Sequence, residues 1–327
     1  MKLAFIIDPI EKLDPTHDTS VALMEAAQEM GHEVWITQAG LLSVIEGKAC
    51  ALLDRVYLNP VQLVDGRWVK PHSWYEIKPG SFQPLEEMDV VFMRTDPPVT
   101  IPYLYATYIL DAIDPAKTLT VNAPRGIRAA NEKMYALQFQ SVIPETIVSE
   151  SKVVIRDFVS KKGSAVLKPL GGKAGEGILF LRPDDANLNS LIEISTKQGK
   201  EPVMVQTYLP EARQGDKRII LLDGEAIGAI NRVPSGGEFR GNMAVGGQVV
   251  KTEITDRDRE ICEIVAPKLR SDGLYFVGLD VIGGYLTEVN VTSPTGVREI
   301  DRFAEDGTRL GELTIRWVEK KVQALKG

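Results

Sequence analysis

Hydrophobic positions along the chain fall into short runs and stripes with two different periods. Leu3 to Ile7 is a continuous apolar run closed by Asp8-Pro9, the mark of a strand buried on both faces. Over residues 18–30 the period changes. Val21, Met24, Ala27 and Gln28 share one helical stripe, and Gly31 suits the position just past a helix end. His32 to Thr37 reads as a second strand, so the first forty residues form a βαβ unit and predict a parallel sheet. Asp89 to Arg94 is another buried strand. It runs into Thr95-Asp96-Pro97-Pro98, where the prolines exclude both helix and sheet ladder. A helix over 102–112 and a strand at Leu119–Asn122 complete this region.

The pattern changes near Pro124. A helix is expected from Asn131, as N-cap, to about residue 140. A strand over 164–170 ends in glycines, and 177–182 is its return strand. A helix at 186–197, a strand at 202–209 and a hairpin about Asp223-Gly224 (217–231) follow. Residues 234–248 are rich in glycine and without pattern, hence a loop. A helix at 256–270, two strands about Gly283-Gly284 (275–291) and a helical tail at 307–325 close the chain.

Composition narrows the classes. The 327 residues carry 38 Lys+Arg and 45 Asp+Glu, a net charge of −7, with 44% hydrophobic residues. This is ordinary globular composition, long enough for about two domains. The acidic balance argues against nucleic acid or an anionic membrane as the main partner. Cys50 and Cys262 are too few for a disulfide scaffold, and no C-x-x-C offers zinc or redox chemistry. No run reaches the ~18 apolar residues of a membrane span, and the start lacks a signal peptide, so the cytoplasm is expected. His17, His32 and His72 lie far apart and form neither H-E-x-x-H nor a histidine cage. No G-x-S-x-G elbow is present.

Three stretches carry candidate chemistry. In Leu167-Lys168-Pro169-Leu170-Gly171-Gly172-Lys173-Ala174-Gly175-Glu176-Gly177, a strand delivers a lysine to a turn of four glycines. Their backbone N–H groups can wrap an anion, although neither the P-loop nor the G-x-G-x-x-G pattern is met; a plain hairpin turn remains the alternative. In Gly278 to Val291, Glu288 and Asn290 stand two apart on an apolar strand and share a face. Hard oxygens at that spacing suit Mg²⁺ or Mn²⁺ held against phosphate. Asp280 joins them only if the hairpin is irregular, because a plain two-residue turn sets Asp280 opposite Thr287. Lastly, Arg218, Arg232 and Arg240 lie beside glycines, the last within a loop fit to be a lid. Arg94 and Asp96 end a parallel strand, where α/β sheets usually bind ligands.

Taken in order, these stretches resemble the ATP-grasp superfamily and, within it, the prokaryotic glutathione synthetase family. The resemblance spans essentially the whole chain. It rests on Met93-Arg94-Thr95-Asp96-Pro97-Pro98, Asn131-Glu132-Lys133, Leu167-Lys168-Pro169-Leu170, Gly215-Asp216-Lys217-Arg218, Arg240-Gly241-Asn242 and Thr287 to Gly296. It implies an α/β chain with three parts: a parallel-sheet domain (1–122), a central ATP-grasp lobe (123–205) and a C-terminal lobe (206–327). It implies ATP-dependent joining of γ-glutamylcysteine to glycine through an acyl phosphate. Lys133, Lys168 and the turn of Gly171, Gly172, Gly175 and Gly177 would then meet the phosphates. Gln206, Thr207, Tyr208 and Leu209 would lie against adenine, and Asp216 would take the ribose. Asp280, Glu288 and Asn290 would hold Mg²⁺ or Mn²⁺, with Arg218, Arg232 and Arg240 near the transferred phosphate. Arg94, Asp96, Ser293, Thr295 and Gly296 would border the other substrates. A homo-oligomer, a tetramer, is also implied. The alternatives are another ligase of this fold, such as a D-alanine–D-alanine or glutamate-adding enzyme, and a nucleotide-binding module without turnover.

Overall fold

The computed structural model describes residues 1–172, 175–234 and 247–327. Its first sheet grows from the predicted βαβ unit. Strand β1 (Lys2–Ile6) leads into helix α1 (Thr19–Glu29), whose N-cap Asp18 accepts the Val21 N–H at 2.9 Å, and then into β2 (Glu33–Thr37), parallel to β1. A segment that the hydrophobic pattern left unread comes next: β3 (Leu42–Ile45), β4 (Lys48–Leu58), a detached hairpin of β5 (Gln62–Val64) and β6 (Arg67–Val69), and β7 (Tyr75–Pro84). β4 pairs antiparallel with β2, and β3 and β7 pair antiparallel with β4, so the sheet is mixed rather than parallel throughout. On the other side of β1 lie β8 (Val90–Met93), helix α2 (Ile101–Leu110) and β9 (Leu119–Val121), with β8 and β9 parallel. Phe5 and Phe92 face each other across the β1–β8 pair with ring centroids 4.6 Å apart.

Helix α3 (Pro124–Ala129) was not expected; Pro124 opens it, where a missing N–H costs nothing. The helix expected at 131–140 is not α-helical. After Asn131, whose side chain accepts the Lys133 and Met134 N–H groups, the chain makes only a 3₁₀ segment, Met134–Gln138. Asn131 therefore closes a turn instead of capping a helix, and Lys133 stands at the N-cap of the 3₁₀ segment. The central lobe holds β10 (Thr146–Ser149), α4 (Lys152–Lys162), β11 (Ala165–Pro169), β12 (Leu179–Leu181), α5 (Leu188–Ser195) and β13 (Val203–Thr207). Its sheet runs β10-β13-β11-β12.

The last lobe holds β14 (Asp216–Leu222), β15 (Glu225–Val233), β16 (Gln248–Lys251), α6 (Asp256–Ser271), β17 (Phe276–Ile282), β18 (Tyr285–Asn290), α7 (Val297–Phe303) and α8 (Leu310–Lys326), with sheet order β16-β15-β14-β17-β18. A reciprocal cap between Thr255 and Asp258 starts α6. The cores divide unevenly. Ile155, Val159, Leu167, Ile192 and Val205 belong to a core made only of central-lobe residues. The C-terminal lobe shares its cores with the first domain: Ile315 and Val318 of α8 cluster with Leu23 of α1, and Leu279 and Val289 cluster with Tyr103 and Ile127.

Candidate active site

A cleft of about 290 Å³ opens between the central lobe and the face of the sheet β16-β15-β14-β17-β18. Strand alternation brings the central lobe's side chains into it. Val166 and Lys168 are two apart on β11 and both line the cleft, and Gln206 is the register partner of Val166 on β13. Gln206, Thr207, Tyr208 and Leu209 form a continuous strip of wall. Val166, Ile178, Leu209, Ala212 and Ile282 make an apolar slot beside that strip. The slot was missed from sequence, although the i, i+2 pairing of Val166 with Lys168 was there to be read.

Gly172 and Gly175 of the glycine turn reach the wall, whereas Gly171 and Gly177 do not. Gly177 has φ +69°, and a Cβ there would stand 2.8 Å from Pro169 Cγ, so the turn back into β12 needs glycine. Lys173 lies outside the described residues. Lys168 Nζ forms no hydrogen bond or ion pair among the described residues; burial pushes its pKa down, against the pull of Glu288 and Asp216. Lys133 is buried, and its Nζ donates to Gly172 O at 2.8 Å and meets Glu288 Oε1 at 3.0 Å.

On the opposite wall, register does the assembly. Arg218 faces Asp280 across β14–β17, Asp280 faces Glu288 across β17–β18, and Asp216 faces Arg232 across β14–β15. The hairpin about Gly283-Gly284 does have a two-residue turn, with Ile282 paired to Tyr285 and Val281 to Leu286. A bulge between Asp280 and Val281 then skips Thr287 and sets Asp280 opposite Glu288. Thr287 Oγ1 donates to Asp280 O at 3.2 Å, pinning the bulge. The irregularity that Asp280 needed is therefore present, placed in the ladder instead of the turn.

The charges on this wall are tightly paired. Both Asp280 oxygens accept from Arg218, with Nη2–Oδ2 at 2.9 Å, and Arg232 Nη2 stands 3.0 Å from Asp280 Oδ1 and 2.6 Å from Asp216 Oδ2. Burial would raise the Asp280 carboxyl, but the two guanidinium groups outweigh it and hold Asp280 below the usual carboxylate range. Asp216 goes the other way: burial, with the Asp280 charge beside it, pushes its carboxyl up to about 6 despite Arg232. Among the described residues, Asp216 Oδ1 is buried without a hydrogen-bond partner, an acceptor waiting for a donor.

Among the described residues, no three His, Cys, Asp or Glu side chains cluster closely enough to hold a metal alone. Asn290 donates from Nδ2 to Gly278 O at 3.2 Å, which leaves its Oδ1 as acceptor next to Glu288 on the wall. One carboxylate and one amide oxygen fit Mg²⁺-type ligation completed by phosphate oxygens. Asp280 has both oxygens committed to arginines.

The segment after β18 forms the remaining edge. Ser293 and Thr295 line the cleft together with Asp96. Arg94 does not reach it: it is sealed behind the segment, where Nη2 donates to Pro294 O at 3.0 Å, its carbonyl accepts from Ser293 Oγ at 3.3 Å, and its guanidinium lies over the Phe276 ring. Gly296, φ +126°, turns the chain into α7 and is not on the wall. Arg240 and nearly all of the loop 234–248 lie outside the described residues. Glu132 lines the cleft, although the sequence reading gave it no role beyond its motif.

Solved structures share this fold over the full chain. A D-cycloserine synthetase, DcsG, matches with a TM-score of 0.64 at 16% identity, covering 100% of both chains. The ATP-grasp ligase PsnB, complexed with a minimal precursor, matches with a TM-score of 0.62 at 16% identity over 97% of this chain and 98% of its own. These likenesses show the shared fold, and a family model for an ATP-grasp domain over residues 132–305 gives the class: an ATP-grasp ligase. The models of the prokaryotic glutathione synthetase N-terminal domain and ATP-grasp domain match residues 1–128 and 132–305. Curated relatives named glutathione synthetase in Nostoc sp. and Synechocystis sp. are 68% and 65% identical over 99% and 98% of this chain, covering 99% and 100% of their own lengths. The chain belongs to the prokaryotic glutathione synthetase family.

Proposed function

We propose that this ATP-dependent ligase joins γ-glutamylcysteine to glycine, giving glutathione, ADP and phosphate. The observation that carries the reading is identity of 63–68% over nearly the whole length to several relatives named glutathione synthetase. The site is consistent with it. A carboxylate is a poor electrophile until phosphorylated, and phosphoryl transfer asks for positioning and charge neutralisation rather than a covalent nucleophile. Lys168, with no partner among the described residues, and Lys133 would take the phosphates, with the N–H groups of the glycine turn. The apolar slot and the strip 206–209 would hold adenine, and the orphaned Asp216 Oδ1 would accept a ribose hydroxyl. Glu288 and Asn290 would hold Mg²⁺ or Mn²⁺ and Asp280 would complete the set, the ion supplying charge neutralisation at the phosphates.

Arg218 and Arg232, with Arg240 from the loop, would lie near the transferred phosphate and stabilise the acyl phosphate. Asp96, Ser293, Thr295 and Gly296 would border the acid and amine sites, with Arg94 holding that loop from behind. The same reading divides the chain at about 122 and 205, places the enzyme in the cytoplasm and makes it a homo-oligomer, a tetramer. The exposed Ile101, Tyr105 and Tyr108 on α2 support a covered surface there. The test is ADP release by the purified enzyme. It should need γ-glutamylcysteine, glycine and a divalent ion together, and stop on chelation; turnover only with a different acid–amine pair would reject the substrate assignment.

A further inference from the structure

Asn131, Glu132 and Lys133 form a turn between the central lobe and strand β18, and their side chains reach in different directions. Asn131 Nδ2 donates to Leu170 O at 3.1 Å, and Lys133 reaches Gly172 and Glu288. Glu132 turns toward the strand end. Its Oε1 accepts Val291 N–H at 2.9 Å, Thr292 N–H at 3.0 Å and Thr292 Oγ1–H at 2.8 Å. Its backbone carbonyl accepts Val289 N–H at 3.0 Å. The backbone that follows Glu288 and Asn290, and precedes Ser293, is thus held by one residue.

A chain leaving its last strand carries N–H groups without ladder partners, and water or a neighbouring segment must satisfy them. Here a single carboxylate oxygen does so, through charge-assisted bonds that are stronger than neutral ones. The next residue in sequence, Lys133, meets Glu288 on the same strand. Glu132 and Lys133 therefore grip both sides of Asn290.

We propose that Glu132 is a positioning residue for the ligation: through Oε1 it sets the backbone of 289–293, and so the Glu288–Asn290 pair and the Ser293–Thr295 edge, against Lys133 and the glycine turn. This rests on the ligase reading above. Among the described residues, Glu132 makes no hydrogen bond to Lys168 or to the apolar slot, so its loss disturbs the joining of substrates more than the holding of nucleotide.

The test compares Glu132→Ala, Glu132→Gln, Thr292→Val and the double variant Glu132→Ala/Thr292→Val in the full-length enzyme. Three quantities are read: amide hydrogen exchange over 289–293, ADP affinity by calorimetry, and kcat and KM for γ-glutamylcysteine and glycine. Orphaning several buried donors at once should lower kcat/KM about 100-fold in Glu132→Ala. Exchange at Val291 and Thr292 should speed up, while ADP affinity changes by less than about threefold. Glu132→Gln keeps an acceptor oxygen and should restore most of the rate and the slow exchange. The double variant should be no worse than Glu132→Ala, because Thr292 acts through the same oxygen.

Unchanged exchange over 289–293 in Glu132→Ala would overturn the proposal, as would a parallel fall in ADP affinity and kcat, or Glu132→Gln as impaired as Glu132→Ala. If Glu132→Ala does not fold, Glu132→Gln with and without Thr292→Val decides by the same coupling. A wild-type enzyme inactive on γ-glutamylcysteine and glycine would sink the ligase reading instead, and the exchange and ADP measurements would still judge Glu132.

Discussion

The two walls of the cleft treat positive charge differently. On the central-lobe side, Lys168 points inward with no partner among the described residues, and burial depresses its pKa. On the other side, Arg218 and Arg232 are locked onto Asp216 and Asp280, and the arginines and Asp280 are almost completely buried. An unpartnered buried cation costs stability and is poised for an anion. A paired one belongs to the framework and meets a ligand only with the charge left over. Binding and architecture are therefore carried by different residues that a basic sequence pattern makes look alike.

The largest test of this contrast is Arg232→Ala, which leaves Asp216 without its cation and Asp280 with Arg218 alone. Chemical denaturation should find a loss of about 3–5 kcal/mol. A loss under about 1 kcal/mol would mean the pair behaves like a surface bridge and the contrast is void. Lys168→Met should do the reverse. Nucleotide affinity by calorimetry should fall about 100-fold, on the scale of a lost charge-assisted contact, while the midpoint of unfolding stays or rises. The sign follows from the pKa: a lysine depressed in the fold costs stability below its folded pKa and recovers it as pH rises toward the unfolded value. A Lys168→Met protein clearly less stable than wild type would place Lys168 in the framework after all.

A smaller effect should appear in the pH dependence. The Asp216 carboxyl is pushed up to about 6 in the fold from its ordinary 3.8. A raised carboxyl favours the folded state while protonated, so that contribution is lost as pH climbs from about 4 through 6. Relative to wild type, Asp216→Asn should gain stability over that window by about 3 kcal/mol. Parallel stability curves for the two proteins would show that Asp216 stays ionised throughout. The smallest effect belongs to Thr287→Val, which removes the hydroxyl pinning the bulge. About 1 kcal/mol of stability should go, a typical side-chain hydrogen bond, with a matching fall in turnover if Asp280 shifts.

Much of the site was legible because its residues sit on strands, where alternation by two dictates the face. Glu288 and Asn290 were found this way, Lys168 by the glycine turn it precedes, and the arginines by their glycine neighbours. The rest failed for physical reasons. The segment 42–84 hid its strands: Pro79-Gly80 reads as a turn, yet it sits where the β4–β7 register shifts, with Gly80 N–H donating to Asp54 Oδ1 at 2.8 Å. A Cβ on Gly80 would stand 1.6 Å from Leu53 O, so the glycine serves close strand approach there. The helix at 131–140 failed because Asn131 caps a turn just as it would cap a helix. Arg94 was placed at a strand end correctly, but whether such a residue faces ligand or props a loop depends on Pro294, some two hundred residues further along the chain.

The skipped residue in the metal strand gives the enzyme a parity. Downstream of Thr287, odd and even positions exchange faces relative to the hairpin turn, so Glu288 and Asn290 face the cleft only because one residue is uncounted. The face that Glu288 takes is therefore set by the bulge, while the Gly283-Gly284 turn answers a separate need, positive φ at both positions. Straightening the ladder with Thr287 still in place would not be neutral in the same way: Thr287 would take the position opposite Asp280, and Glu288 would turn opposite Leu279 into the core.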